Sequence, residues 1–205
     1  MKKKFDETAE GKGNLLYPVF LKAASLNILL VGGGAAALEK VENLLKNDPE
    51  IPLTIVASEI RAEKLRELKR DHKIRIKERP FKKKDLEGRD LVIVATGDRK
   101  LGAGIRKKCR KRHILVNVAD TPDLCDFYMG SVVRKGDLKI AISTNGKSPT
   151  LAKRMREYFE EAIPEDIQSV LDNLKEVRDR MKGDLDAKIR ELNQITANWL
   201  KQKSE

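Results

Sequence analysis

Asn27-Ile28-Leu29-Leu30-Val31-Gly32-Gly33-Gly34-Ala35-Ala36-Ala37 carries an apolar run into a row of alanines through three consecutive glycines. Read as Gly-x-Gly-x-x-Ala after a buried strand and before a helix, it is the turn that dinucleotide-binding folds require. Gly32 then takes the tight turn, Gly34 lets backbone approach a pyrophosphate, and Ala37 allows close packing of helix on strand. Gly33, Ala35 and Ala36 fall on the same loop and helix start. The first amide N–H groups of a helix lack intrahelical partners and its macrodipole favours negative charge, so the anion needs no dedicated cationic side chain. The competing reading is a glycine-rich turn with no ligand.

The rest of the first half repeats the alternation of strand and helix. Residues 26–31, 53–56, 73–77, 90–96 and 114–118 read as strands, and residues 35–45, 59–70 and 100–111 as helices. Strands alternating with helices predict an α/β fold with a Rossmann-like, doubly wound parallel sheet. Beyond Asp120 the pattern changes: two β runs, 131–134 and 138–143, flank Lys135-Gly136-Asp137 with no helix between them, which predicts an antiparallel hairpin. Ser148 and Pro149 read as the cap and first residue of a helix that Pro164 stops. The charged remainder, 165–205, is helical in pattern, with Ile167, Val170, Leu171, Leu174 and Val177 at helical spacing. The expected division is 1–122 for the cofactor-binding domain, 123–147 for a hairpin region and 148–205 for a C-terminal helical module.

Composition narrows the function classes. The 205 residues carry 43 Lys and Arg against 32 Asp and Glu, a formal charge of +11, compatible with nucleic acid, an anionic membrane or an acidic small molecule. The basic clusters at Lys2-Lys3-Lys4, Lys82-Lys83-Lys84 and residues 106–112 are not interleaved with aromatic residues, as single-strand binders require. They read as solvated faces, with no nucleic acid and no membrane as partner. No apolar run approaches the about 18 residues that span a bilayer, and no leader pattern is present, so a cytoplasmic protein is expected. Cys109 and Cys125 have no metal-ligand spacing, and neither do His72 and His113; no metal site is expected. Gly146-Lys147-Ser148 is not a P-loop, because Ala141 stands where the Walker pattern needs glycine.

Five segments together, Tyr17-Pro18-Val19-Phe20-Leu21, the glycine turn, Thr54-Ile55-Val56-Ala57-Ser58-Glu59-Ile60, Asn117-Val118-Ala119-Asp120 and Ser143-Thr144-Asn145-Gly146-Lys147-Ser148-Pro149, resemble one family. It is precorrin-2 dehydrogenase, the dehydrogenase and sirohydrochlorin ferrochelatase module of siroheme synthase, and the likeness runs from Tyr17 to Ile163. The resemblance implies a homodimer with NAD as cofactor and a central dimerisation hairpin. It implies oxidation of precorrin-2 to sirohydrochlorin and, in some members, insertion of ferrous iron to give siroheme. A polycarboxylate tetrapyrrole substrate gives the cationic excess a use other than DNA. Two positions depart from the family's habit: Gly130 stands where Pro is common, and Asn145 where Gly is common.

Asp120 is the catalytic candidate, just past the carboxyl end of a buried strand, where open α/β sheets bind ligands. The resemblance gives it a general acid/base role; the alternative is that it only begins the turn Thr121-Pro122-Asp123. Ser58 and Glu59 match the family's adenosine side, although the acid usual at the end of the second strand is replaced by Ala57-Ser58. Arg61 is close enough in sequence to meet a 2′-phosphate, and Glu59 can equally be a first-turn helix residue. Thr96 lines the cofactor crevice or caps the next turn. Ser143, Thr144, Lys147 and Ser148 form a helix N-terminus suited to a substrate carboxylate, or a plain capped turn. Two other functions stay open, a dinucleotide-binding regulator and a tetrapyrrole carrier without catalysis.

Overall fold

In the computed structural model, which describes residues 13–180 and 185–199, the alternation expected of the first half is present. Its elements are β1 Ile28–Val31, α1 Ala35–Asn47, β2 Leu53–Ala57, α2 Lys64–Asp71, β3 Ile74–Glu78, β4 Leu91–Val94, α3 Arg99–Arg110 and β5 Leu115–Val118. The five strands are parallel in the order β3-β2-β1-β4-β5. The chain builds outward from β1 on one side and then crosses back to β4 on the other, so the sheet's switch point lies between β1 and β4. The β1–β4 register Val31↔Val94 and the β4–β5 register Val94↔Val118 bring their carboxyl ends level.

Why these runs are strands follows from their burial. Every residue of β1, β2 and β4 is buried, as expected of a parallel sheet covered on both faces. Ile28, Leu30, Ile55 and Ile93 pack with Val41 of α1 and Leu65 of α2. On the other face Leu29, Val31, Val92, Val94 and Val116 pack with Ile105 and Cys109 of α3. β3, at an edge, shows only Ile74 buried.

One expected helix is shorter than its pattern. Residues 59–63 stand outside α2 because the three central amides are engaged elsewhere: Ile60 N donates to Glu78 Oε1 at 3.1 Å, and Arg61 N and Ala62 N donate to the Gly33 carbonyl at 2.8 and 3.0 Å. Those tertiary bonds outweigh the helical propensity of the segment. Short 3-10 turns at Ala23–Ser25, Lys83–Leu86 and Pro122–Leu124 complete the connections.

The chain divides into two compact units, one ending at Met129 and the other beginning at Gly130. The second opens with the expected hairpin, β6 Ser131–Lys135 and β7 Leu138–Ile142, antiparallel in the register Val133↔Ile140. Its turn places Gly136 at φ +56, where glycine avoids the steric cost of left-handed backbone. Gly130 precedes β6 so tightly that an added Cβ would lie 2.7 Å from the Ile142 carbonyl oxygen. Helix α4, Pro149–Ala162, packs on β6. Helices α5, Ile167–Arg180, and α6, Leu185–Trp199, follow. Gln168 of α5 accepts from Asp137 N at 2.8 Å and donates to Asp137 Oδ2 at 3.1 Å, and Lys135 pairs with Glu165, so the hairpin turn is tied to the start of α5. The Lys2-Lys3-Lys4 cluster and the end of the helical tail lie outside the described residues.

Candidate active site

The glycine turn divides its work unequally. Gly32 has φ +141, and an added Cβ there would run into the Ala95 carbonyl, so only glycine lets β1 and β4 meet at the switch point. A Cβ on Gly33 would likewise strike the Glu59 carbonyl. Gly34, the N-cap residue of α1, meets no backbone: an added Cβ would have only the Arg61 guanidinium near it, at an ordinary contact distance of 3.7 Å, and no side chain caps that helix. Helices α3 and α4 differ in this: Asp98 accepts from Leu101 N at 3.0 Å and Ser148 accepts from Leu151 N at 3.1 Å. The first N–H groups of α1 are thus left facing the open side of the turn, with the positive end of the macrodipole behind them.

Around this turn lies a cleft of about 400 Å³ within the first unit, a size ordinary for small-molecule sites. Gly32, Gly33, Gly34, Ala35, Ala36, Ser58, Glu59 and Thr96 all line it. So do Arg61, Phe81 and Leu101. Phe81 and Leu101 drew no notice in the sequence, because each sits outside the glycine and strand-end signals and reaches the cleft only through the packing of β3, β4 and α3. The lining of the cleft combines apolar side chains, Val56, Phe81 and Leu101 among them, with the bare N–H groups at the start of α1. An adenine ring suits the first and a pyrophosphate the second, so the residues present fit a dinucleotide.

Two carboxylates hold the walls. Arg79 grips Asp85 with both guanidinium nitrogens, at 2.8 and 2.5 Å, and Lys82 N donates to Asp85 Oδ2 at 2.8 Å. These bonds fix the loop that carries Phe81. The Arg79 guanidinium holds the buried Asp85 carboxyl down to about 2, against the opposing effect of its burial. Glu78, at the end of β3, takes Ile60 N and Arg66 Nη2, at 3.1 and 3.0 Å, and pins the β2–α2 loop. The bond from Ile60 N, then the Arg66 guanidinium, draws its carboxyl below the usual range. Thr96 accepts from Asp98 N at 3.2 Å, so it lines the cleft and braces the next turn at once.

Asp120 lies at the carboxyl end of β5, beyond the β4–β5 register, and does not line the cleft. It occupies a central position of a four-residue turn closed by Thr121 N donating to the Val118 carbonyl at 3.2 Å, and its φ of +57 is left-handed. The carboxylate is exposed and has no hydrogen-bond partner among the described residues. The turn after it is tightly held: Arg99 forks onto Asp123 at 3.1 and 2.6 Å, and Cys125 Sγ donates to the Val118 carbonyl at 3.2 Å. Both thiols are structural in character, since burial pushes Cys109 up to about 11 and also raises Cys125.

Ser143, Thr144, Lys147 and Ser148 belong to the second unit. Asn145 and Gly146 are both left-handed, at φ +54 and +74, so the asparagine takes a conformation that glycine usually supplies. Ser143 Oγ accepts from Asn145 N at 3.2 Å, and Thr144 Oγ1 accepts from Ser148 N at 3.2 Å and donates to its carbonyl at 3.0 Å. Ser148 caps α4, and Lys147 is exposed. Among the described residues no three His, Cys, Asp or Glu side chains are grouped to hold a metal ion, and no helix is long and apolar enough to cross a membrane.

Comparison with known proteins places this geometry. Residues 19–131 match the family described as "Putative NAD(P)-binding", and residues 135–162 match the central segment of sirohaem biosynthesis proteins. Siroheme synthase of Methylococcus capsulatus is 36% identical over 165 residues, covering 80% of this chain and 34% of that protein. The siroheme synthase of Nitrosomonas eutropha is 38% identical over 148 residues, covering 72% of this chain and 31% of its own. The chain therefore spans about a third of the length of these curated relatives. The solved structure of SirC, a precorrin-2 dehydrogenase, superposes with a TM-score of 0.67 at 28% identity, over 88% of this chain and 89% of that one. With its glycine turn and parallel sheet inside a match that covers more than half of its residues, the chain belongs to the NAD(P)-binding family of siroheme synthases and precorrin-2 dehydrogenase.

Proposed function

We propose that the chain is an NAD-dependent oxidoreductase that converts precorrin-2 to sirohydrochlorin in siroheme biosynthesis. The observation that carries this reading is the uncapped N-terminus of α1 in a cleft walled by Gly32, Phe81 and Leu101, in a chain that matches SirC over nearly its whole length. When bound, NAD supplies an acceptor for the hydride that the macrocycle loses. The protein's part is to hold, orient and deprotonate. Bare N–H groups of α1 bind the pyrophosphate, and the apolar side chains of the cleft bury the adenine and keep water from it. Ser58 and Glu59, next to the end of β2, take the ribose hydroxyls.

Asp120 is the proton acceptor of this proposal. Its carboxylate oxygens stand free at the carboxyl edge of the sheet, on a backbone held in the left-handed region by the bonds on either side. A non-glycine residue kept in that region is the kind of local strain found at working sites. Of Ser143, Thr144, Lys147 and Ser148, the hydroxyls of Ser143 and Ser148 and the Lys147 ammonium bind a carboxylate of the substrate, while Thr144, bonded to both backbone groups of Ser148, holds the loop in place. The hairpin β6–β7 is the dimer contact of a homodimer, and the reaction is cytoplasmic. Ferrous iron enters, where it enters at all, as a second substrate.

The test is an anaerobic assay that adds precorrin-2 and NAD, with NADP in parallel and ferrous iron afterwards. NADH formation together with a sirohydrochlorin spectrum is expected. Absence of reduced cofactor with either dinucleotide would sink the oxidoreductase reading and leave a carrier or a regulator.

A further inference from the structure

We propose that Arg61 is a phosphate clamp, closing its guanidinium over the pyrophosphate held at the N-terminus of α1. The inference rests on the dinucleotide reading of the cleft and deepens it. Arg61 Nη2 lies 3.7 Å from where a Cβ on Gly34 would stand, so the guanidinium hangs over the glycine that pyrophosphate must approach. It shares the cleft with the uncapped first turn of α1.

The position is built by the fold. Arg61 N and Ala62 N both donate to the Gly33 carbonyl, at 2.8 and 3.0 Å, which locks the root of the side chain onto the glycine turn. On the residue before, Ile60 N is held by Glu78 at 3.1 Å. Two nearby acids, Glu63 and Glu78, are committed to another cation, Arg66, at 3.2 and 3.0 Å, and Glu59, which shares the cleft, makes no ion pair with Arg61. No carboxylate among the described residues pairs with Arg61.

Electrostatics then asks for an anion. A helix N-terminus carries a partial positive charge, and a cation set against it is unfavourable unless a negative group lies between them. A diphosphate resolves the conflict, with two negative charges for the helix N–H groups on one side and the planar guanidinium fork on the other. The guanidinium sits over Gly34 at the helix start, which assigns it to the pyrophosphate shared by NAD and NADP rather than to a 2′-phosphate.

The experiment measures dissociation constants of NADH, NADPH and adenosine by calorimetric titration of the full chain and of Arg61→Ala and Arg61→Lys. Arg61 is exposed, and thermal melts check that each variant is folded. Arg61→Ala is expected to weaken NADH and NADPH by the same factor, about tenfold, the size of one charge-assisted contact on an accessible site. Adenosine should bind unchanged, and Arg61→Lys should recover part of the loss. In steady state the dinucleotide KM should rise with kcat unaltered, as for binding that is equal in ground and transition states. A loss confined to NADPH would overturn the clamp and make Arg61 a reader of the 2′-phosphate. Equal binding by wild type and Arg61→Ala would remove Arg61 from the site while leaving the cleft's assignment intact. Wild type that binds neither dinucleotide would bring down the cofactor reading and the clamp with it.

Discussion

Glycines 32 and 34 look alike in the sequence and differ in what they do. At Gly32 a methyl group meets the Ala95 carbonyl and the backbone is held at φ +141, so Gly32→Ala should lower stability by several kcal/mol, on the order of 3, or prevent folding. At Gly34 the added Cβ meets only the Arg61 guanidinium at ordinary contact distance, so Gly34→Ala should melt within a few degrees of wild type while binding dinucleotide much more weakly. Melting curves and NADH titration of the two variants check the contrast; equal melting temperatures would refute it. Asp120 offers a second separation of stability from function. Its φ of +57 costs a side-chain-bearing residue about 1 kcal/mol that glycine avoids. Asp120→Gly should therefore raise the melting temperature while abolishing turnover with dinucleotide affinity kept. A variant that is both less stable and fully active would remove the carboxylate from the mechanism.

Among the elements, the loop from Arg79 to Asp85 shows how a wall of the cleft is kept rigid. Asp85 is almost wholly buried, and the Arg79 fork with the Lys82 amide stabilises its charged form. Its carboxyl in the folded protein sits at about 2, below the ordinary aspartate value of 3.8. A lowered folded value means stability that is fully present above pH about 4 and is lost as pH falls toward 2. The contribution at neutral pH is of the order of 2 kcal/mol. Asp85→Asn should remove that amount at pH 7, and the gap to wild type should close by pH about 2 in urea unfolding. A gap that stays constant with pH would mean that the ionised pair contributes nothing. Because the same bonds hold the loop of Phe81, this variant should also loosen adenine binding. Helix α2 makes a related point, since its pattern began at residue 59 but three of its first five positions, Ile60, Arg61 and Ala62, gave their amides to Glu78 and Gly33. That loss of helix is what places Arg61 over the glycine turn.

At the scale of the whole molecule, a net charge of +11 faces a polycarboxylate substrate under the proposed function. Association should be electrostatically assisted, so raising salt from low to near-physiological strength and beyond should raise the KM for precorrin-2 severalfold and leave kcat nearly constant. A KM independent of salt would assign the basic faces to another use. The sequence by itself determined the alternation of elements, the parallel sheet, the hairpin after Asp120, the cap at Ser148 and the glycine turn. Each of these is written in local pattern: a period of burial, a turn residue, a cap, a run of small side chains. Tertiary structure alone decided which residues meet across that frame. Phe81 and Leu101 reach the cleft from a loop and a helix that adjoin it only once the sheet has wound both ways from β1. The sequence argued that the anion needs no dedicated cation, yet the fold sets Arg61 beside Gly34 through hydrogen bonds between segments nearly thirty residues apart. Local propensity is blind to such contacts, because their energy comes from amides and charges that become neighbours only after the chain has closed.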